Sequence, residues 1–370
     1  MKLHPAENIS SITPYPSGKP LEELEREYGI TGSIKLASNE NPWGPSPKAV
    51  EAIVSSLSGL HRYPDGSAYY LTEALANWLG ADPKEIVLGN GSNEVIEFLV
   101  KAFVQNDDEV ITSHPSFLMY QKFVQVRGGN NIVIPLRNMQ HDLEAIAKNV
   151  TARTRLIFMD NPNNPCGTLF SREMFDDFLA QLPEEVIVVL DEAYVDFVDR
   201  DKRIDVLSCI RNPESIPPVV SLRTFSKAFG LAGLRVGFGI MHPDIANLLH
   251  RVRQPFNINL LAQAGALAAL EDQDYYEMTI TETGKGREWL SRKVESLGCK
   301  AYPSHTNFFL IDVRGDATKL YEAMLYKGVI VRSMKAYGFP DFIRITVGTE
   351  EENSRFVHSL HQCLNELNYV

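Results

Sequence analysis

Apolar residues fall into two rhythms along this chain. Early on they recur at helical spacing. Val50, Ile53, Val54 and Leu57 stand at i, i+3, i+4 and i+7 behind Ser46-Pro47, a capping residue followed by a proline suited to a first turn. Leu71, Ala74, Leu75 and Trp78 repeat the spacing after Ser67. Each set predicts a helix with one buried stripe. From about residue 85 short runs take over: Ile86–Leu88, Glu109–Thr112, Asn131–Ile134, Leu156–Met159, Val186–Leu190, Val219–Leu222 and Arg235–Ile240. They are β-branched, apolar on both faces, and separated by amphipathic segments such as Phe175, Phe178, Leu179 and Leu182. That alternation predicts an α/β fold, a mostly parallel sheet of these runs sandwiched by helices.

The rhythm changes after residue 258. A long helical stretch from Leu260 to about Leu297 leads to strands near Asn307–Val313, Val329–Ser333 and Phe342–Val347. A last helix runs from about Glu351 to Leu367, with Phe356, Leu360, Leu364 and Leu367 on one side. The expected organisation is an N-terminal arm (1–35, with the Pro-rich stretch Thr13 to Pro20), a large domain (36–258) and a smaller α+β domain (259–370). The arm is expected to pack with the small domain or a partner subunit.

Composition narrows the function classes. Apolar residues make up 44% and charged residues 22% of the 370, ordinary values for a globular protein. The net charge of −11 disfavours nonspecific nucleic-acid binding, since phosphate backbones attract basic patches. No apolar run reaches the roughly 18 residues that cross a bilayer. The opening residues, Met1 to Glu7, lack the apolar core of a secretory signal, so a cytoplasmic protein is expected. Cys166, Cys209, Cys299 and Cys363 lie far apart, no C-x-x-C pair occurs, and no metal site is expected. H-E-x-x-H, G-x-S-x-G and G-x-x-x-x-G-K-[ST] strings are missing as well.

In parallel sheets ligands bind beyond the carboxyl ends of the strands, so chemistry is expected just after each apolar run. Leu156–Met159 is followed by Asp160 to Gly167, an amide-rich loop containing Asn164. Val186–Leu190 is followed by Asp191-Glu192-Ala193-Tyr194, and Val219–Leu222 by Thr224-Phe225-Ser226-Lys227, then Arg235. Ile86–Leu88 is followed by Gly89 to Glu94, which opens a helix. Taken singly each is weak: an aspartate after a strand is commonly a cap, and Gly89-x-Gly91-x-x-Glu94 lacks the third glycine of a dinucleotide fingerprint. Together they suit pyridoxal 5′-phosphate. Its aldehyde needs a lysine amine, its ring nitrogen a carboxylate, and its phosphate a helix N-terminus, hydroxyls and an arginine.

The string T-F-S-K-A-F-G-L-A-G-L-R, Thr224 to Arg235, resembles the lysine signature of the class I/II, fold type I aminotransferases. The order Asn164-Pro165, then Asp191 and Tyr194, then Ser226-Lys227, then Arg344 and Thr346 is similar to that family over nearly the whole chain. Pro14 to Pro20, Leu36 to Pro47, Arg62 to Asp65 and Arg344 to Thr349 resemble its members that act on histidinol phosphate. Two positions depart from the pattern: Cys166, where N-P-T-G is more usual, and Phe117, where a tyrosine often stacks on the ring.

The resemblance implies fold type I, with a large domain built on a seven-stranded sheet and a smaller α+β domain. It implies that Lys227 forms the Schiff base and shuttles the proton, that Asp191 pairs with the pyridinium nitrogen, and that Asn164 and Tyr194 hydrogen-bond the ring's phenolic oxygen. Phe117 would cover one ring face. Gly91, Ser92, Asn93, Thr224, Ser226 and Arg235 would hold the phosphate, with Tyr63 reaching it from the second subunit of a homodimer. Arg344 and Arg332 would bind the substrate's phosphate, with Tyr15, Asn39 and Asn307 lining the pocket. The expected reaction transfers the amino group of histidinol phosphate to 2-oxoglutarate, yielding imidazole acetol phosphate and glutamate in histidine biosynthesis. An aromatic amino-acid aminotransferase and a threonine-phosphate decarboxylase are the nearest alternatives; an oxidoreductase built on Gly89–Glu94 and a noncatalytic pyridoxal-phosphate-binding regulator stand further off.

Overall fold

The structure, a computed structural model, describes residues 3–14, 20–211 and 217–369. Tyr15 therefore lies outside the described residues. All seven apolar runs enter one sheet, in the order Ile86–Gly89, Gly237–Ile240, Val219–Thr224, Ile187–Asp191, Thr154–Asp160, Glu109–His114, Asn130–Pro135. Every neighbouring pair is parallel except the two made by Gly237–Ile240, which runs antiparallel to both partners. The four central strands, Thr154–Asp160, Ile187–Asp191, Val219–Thr224 and Gly237–Ile240, are buried almost throughout, as a sheet covered on both faces requires. One face packs against Phe98, Leu99 and Tyr120, the other against Phe175, Phe178 and Phe225.

A second, antiparallel sheet orders Arg332–Ser333, Phe342–Thr346, Phe308–Asp312 and Lys300–Ala301. The helices Ala317–Tyr326 and Glu350–Leu367 cover it, the latter burying Phe356, Leu360 and Leu364. Thr349 caps this last helix in a reciprocal box with Glu352. The N-terminal residues divide between the two sheets. Asn8 donates to the carbonyls of Gln125 and Val126 beside the large sheet. Leu24 is buried with Leu325 and Ile330, and Ile34–Lys35 pairs in parallel with Val329–Ile330.

Four sequence expectations are corrected. The helix Pro47–Ser56 forms with Ser46 accepting from the Ala49 amide, yet its stripe is not buried: Val50 is 44%, Val54 60% and Leu57 46% exposed. Periodicity reports which face is apolar, not what covers it. The stretch 260–297 is two helices, Leu260–Leu270 and Gln273–Ser296, broken where Asp272 is drawn inward. Arg235 is not in a strand; it adopts a left-handed conformation (φ 58°) that turns its chain before Gly237. Finally, Val329–Ser333 splits: Val329–Ile330 pairs with the N-terminal strand and Arg332–Ser333 with Phe342–Thr346.

Candidate active site

The carboxyl ends of the central strands open into a cavity of about 240 Å³. Ser92 and Asn93 line it from the start of the helix Ser92–Phe103, Phe117 from the loop after Glu109–His114, and Asn164 from the loop after Thr154–Asp160. Asp191, Tyr194, Thr224, Ser226, Lys227 and Arg235 line it too, whereas Gly91, Asn39, Asn307, Arg332 and Arg344 are not among its lining residues. The strand geometry explains the convergence, because each parallel strand stops at the same edge of the sheet.

Lys227 sits 5.5 Å from the centre of the Tyr194 ring, and its Nζ donates to the carbonyls of Asn39 (3.1 Å) and Ser38 (3.4 Å). Burial lowers its pKa to about 8, with the charge of Arg344 pushing the same way. A substantial fraction of the amine is therefore neutral near pH 8, the form a nucleophile or base requires. Burial pushes Asp191 up to about 7, although it accepts hydrogen bonds from the Tyr120 hydroxyl (2.7 Å) and the Ala193 amide (3.1 Å). Those two donors oppose burial, and a cationic partner placed beside Asp191 would add to them. Burial also pushes the Tyr194 phenol up to about 12, with Arg344 opposing, so it stays protonated at neutral pH.

Asn39 and Asn307 are buried on the small-sheet side of Lys227. Asn39 Nδ2 donates to the Tyr194 hydroxyl (2.9 Å), and Asn307 Nδ2 donates to the Asn39 carbonyl (3.1 Å). Arg344 reaches across as well: Nη1 donates to Asn164 Oδ1 (2.5 Å) and Nη2 to the Ala37 carbonyl (2.9 Å), while its guanidinium lies 5.0 Å from the Phe308 ring centre. Asn164 Nδ2 faces the Tyr194 hydroxyl at 3.5 Å, the outer edge of hydrogen bonding. Arg332 is the direct cross-strand partner of Arg344, so the two side chains leave the same face of the sheet. Tyr63 does not line this chain's cavity; it is 83% exposed and stacks on Phe256, ring centres 4.7 Å apart.

The residues present suit pyridoxal 5′-phosphate. Gly91, at φ 78°, lets the Arg235 guanidinium occupy the space a Cβ would fill, so that cation overhangs the N-terminus of the helix Ser92–Phe103. Arg235 Nη1 lies 3.4 Å from Ser226 Oγ, and the Ser226 amide donates to Thr224 Oγ1. Amides at a helix start, hydroxyls and a guanidinium form an anion cradle, and Asp191 lines the same cavity. Asn93 Oδ1 is buried with no hydrogen-bond partner among the described residues, so the donor Nδ2 rather than Oδ1 would serve a phosphate.

Sequence reasoning passed over Tyr120, Asp160 and Glu40, all of which line the cavity, together with His141 behind Asp160. Tyr120 lies in the first turn of the helix Met119–Arg127, and no local motif marked it.

The family model of aminotransferase class I and II matches residues 31–360. A histidinol-phosphate aminotransferase of Desulfotalea psychrophila is 66% identical over 370 residues, covering 100% of this chain and 98% of that protein. One from Moorella thermoacetica is 45% identical over 97% of this chain and 92% of its own length. Among solved structures, histidinol-phosphate aminotransferase from Sinorhizobium meliloti, in complex with pyridoxal 5′-phosphate, superposes with a TM-score of 0.89 at 29% identity, over 98% of this chain and 97% of that one. With the match spanning nearly the full length and a lysine and a carboxylate meeting in one cavity at the strand ends, this chain belongs to the class I and II aminotransferases and, within them, to the histidinol-phosphate aminotransferases.

Proposed function

We propose that this enzyme binds pyridoxal 5′-phosphate in the 240 Å³ cavity and transfers the amino group of histidinol phosphate to 2-oxoglutarate, yielding imidazole acetol phosphate and glutamate in the cytoplasm. The observation that carries the reading is that Lys227 and Asp191 face the same cavity beside an anion cradle. The choice of substrate rests on full-length similarity to the Desulfotalea psychrophila protein.

When bound, the cofactor supplies an aldehyde that condenses with amines and a ring that takes up the electrons released at the substrate's α-carbon. Ser92, Asn93, Thr224, Ser226 and Arg235 would hold its phosphate, and Gly91 admits the arginine. Asp191 would accept a hydrogen bond from the ring nitrogen and keep that nitrogen protonated. Asn164 and Tyr194 would donate to the phenolic oxygen, while Phe117 covers one face. Lys227 Nζ would move the proton between the substrate's α-carbon and C4′ of the cofactor. Arg344 and Arg332 would bind the substrate's phosphate dianion through paired N–H groups, with Asn39 and Asn307 shaping the wall.

Residues 36–258 would form the cofactor-holding domain and 259–370 the smaller one, with residues 1–35 as an arm. The helix Gln273–Ser296 would act as the join, since Tyr276 is buried in the core of the larger domain and Leu290 and Val294 in that of the smaller one. A homodimer accounts for the uncovered face of Pro47–Ser56. Val50, Val54, Leu57 and, at 57%, Leu60 would be covered by a second copy, which would take Tyr63 to its cofactor phosphate.

The test is purified protein with histidinol phosphate and 2-oxoglutarate, reading glutamate formed. The highest kcat/KM is expected for histidinol phosphate. A preference for phenylalanine, or carbon dioxide released from threonine phosphate, would overturn the substrate assignment.

A further inference from the structure

Asp160 ends the strand Thr154–Asp160 directly opposite Asp191, which ends the neighbouring strand, so two carboxylates stand side by side at the floor of one cavity. Asp160 is 3% exposed. A carboxylate held out of water loses its hydration and is costly unless donors replace it. Here four donors do. Oδ1 accepts from Ser116 Oγ (2.7 Å), Asn163 Nδ2 (3.0 Å) and His141 Nε2 (3.0 Å), and Oδ2 accepts from the backbone amide of Asn164 (2.7 Å).

These donors come from three stretches of chain, at Ser116, at His141 and at Asn163-Asn164, and two of those stretches carry cavity residues. Ser116 immediately precedes Phe117, the side chain placed against one face of the ring. The Asn164 amide belongs to the residue whose side chain meets Arg344 and Tyr194. His141 closes the cluster from behind. Its Nε2 faces only acceptors, the carboxylate and the carbonyl of Asp160, each at 3.0 Å, so that nitrogen carries the proton. Its Nδ1 lies 2.7 Å from Ser113 Oγ, at the end of the strand Glu109–His114. Fixed geometry of this kind is what a carboxylate with several acceptor sites provides and an apolar residue would not.

We propose that Asp160 is a positioning residue of the active site: it ties the segment carrying Phe117 to the loop carrying Asn164, and His141 locks it in place. The proposal deepens the cofactor reading and rests on it. Asp160 then sets how the ring is clamped between its aromatic cover and the groups at its phenolic oxygen, without itself touching substrate.

The experiment compares Asp160→Asn, Ser116→Ala, His141→Ala and His141→Gln, each loaded with pyridoxal 5′-phosphate. The readouts are the visible circular dichroism of the bound cofactor, kcat, and melting temperature. Asp160→Asn keeps the shape but sets an amide donor among donors. It is expected to lose at least about half the dichroism per bound cofactor and about tenfold in kcat, as a displaced reacting geometry costs. Ser116→Ala and His141→Ala, each removing one donor, should show the same changes in smaller degree. His141→Gln keeps an N–H toward Asp160 and should restore wild-type dichroism. If Asp160→Asn does not fold, the other three decide. Variants that melt earlier yet keep wild-type dichroism and kcat would overturn the proposal, leaving the cluster a purely stabilising one. A wild-type protein without any cofactor band would instead refute the cofactor reading.

Discussion

The Tyr120 hydroxyl donates a 2.7 Å hydrogen bond to Oδ2 of Asp191. Tyr120 is fully buried, stacked on Phe158 and in edge contact with Phe117. Burial, followed by the charge of Asp191, raises its own pKa well above the usual phenol value, so it acts as a permanent donor. One side chain thus contacts both the carboxylate proposed for the ring nitrogen and the aromatic proposed for the ring face. Tyr120→Phe removes the donor and little volume. It is expected to weaken cofactor binding by about tenfold, the size of a hydrogen bond to a charged group. Equilibrium titration with pyridoxal 5′-phosphate checks this; unchanged affinity would separate Tyr120 from the site.

Removal of the amine has a larger effect. Lys227→Ala should abolish the visible band of covalently held cofactor and reduce turnover by about a thousandfold or more, the loss expected when a positioned base is deleted. Stopped assays with histidinol phosphate give the rate. Full activity in this variant would remove the lysine from the mechanism.

The cofactor-free protein should carry the cost of these groups as pH-dependent stability. Asp191 titrates at about 7 in the fold against 3.8 in the open chain, so the folded state binds more protons between those values. Stability therefore falls as pH rises from about 4 to 7, and the full cost is present above 7. Lys227, at about 8 against 10.5, has the opposite proton balance. Its cost is full below pH 8 and is relieved as pH rises toward 10.5. Asp191→Asn should raise the melting temperature of cofactor-free protein at pH 7.5 and flatten the profile from pH 4 to 7. Melting curves across pH check both; a profile that Asp191→Asn leaves unchanged would contradict the burial of that charge.

The arginine pair predicts a split in the kinetics. Arg332→Ala leaves Arg344 in place on its strand partner and should raise KM for histidinol phosphate by about tenfold or more, with a smaller change in kcat. Arg344→Ala also removes the donor to Asn164 and should lower kcat as well. Steady-state kinetics with histidinol phosphate and with its dephosphorylated analogue distinguish these effects. Equal losses on both substrates would place the phosphate elsewhere.

Tyr63 is testable by mixing. Tyr63→Ala and Lys227→Ala are each expected to be nearly inactive. If Tyr63 serves the partner's site, random reassociation of the two should restore about a quarter of wild-type activity, because one site in each mixed dimer is complete. No recovery, with dimers present by sedimentation, would leave Tyr63 serving only its own chain.

Much of this fold was legible because parallel strands buried on both faces leave long β-branched runs, and because Ser46-Pro47 announces a helix start. The clustering of Asn164, Asp191, Thr224 and Lys227 followed from one rule about strand ends. What stayed hidden was tertiary. The bond from Tyr120 to Asp191 joins residues on different elements, and nothing local marks either as the other's partner. The same holds for the donors around Asp160. The break before Gln273 has no glycine or proline to signal it; Asp272 there pairs with Lys48, 3.5 Å away. The helix Pro47–Ser56 has the periodicity of a buried element, yet no described residue covers Val50, Val54 and Leu57.

The most direct measurement is borohydride reduction of the purified, cofactor-loaded enzyme, followed by peptide mass spectrometry. A phosphopyridoxyl group fixed on Lys227, and its loss from that site in Lys227→Ala, is the expected result. Label on a different lysine, or none on a protein that still transaminates histidinol phosphate, would contradict the account.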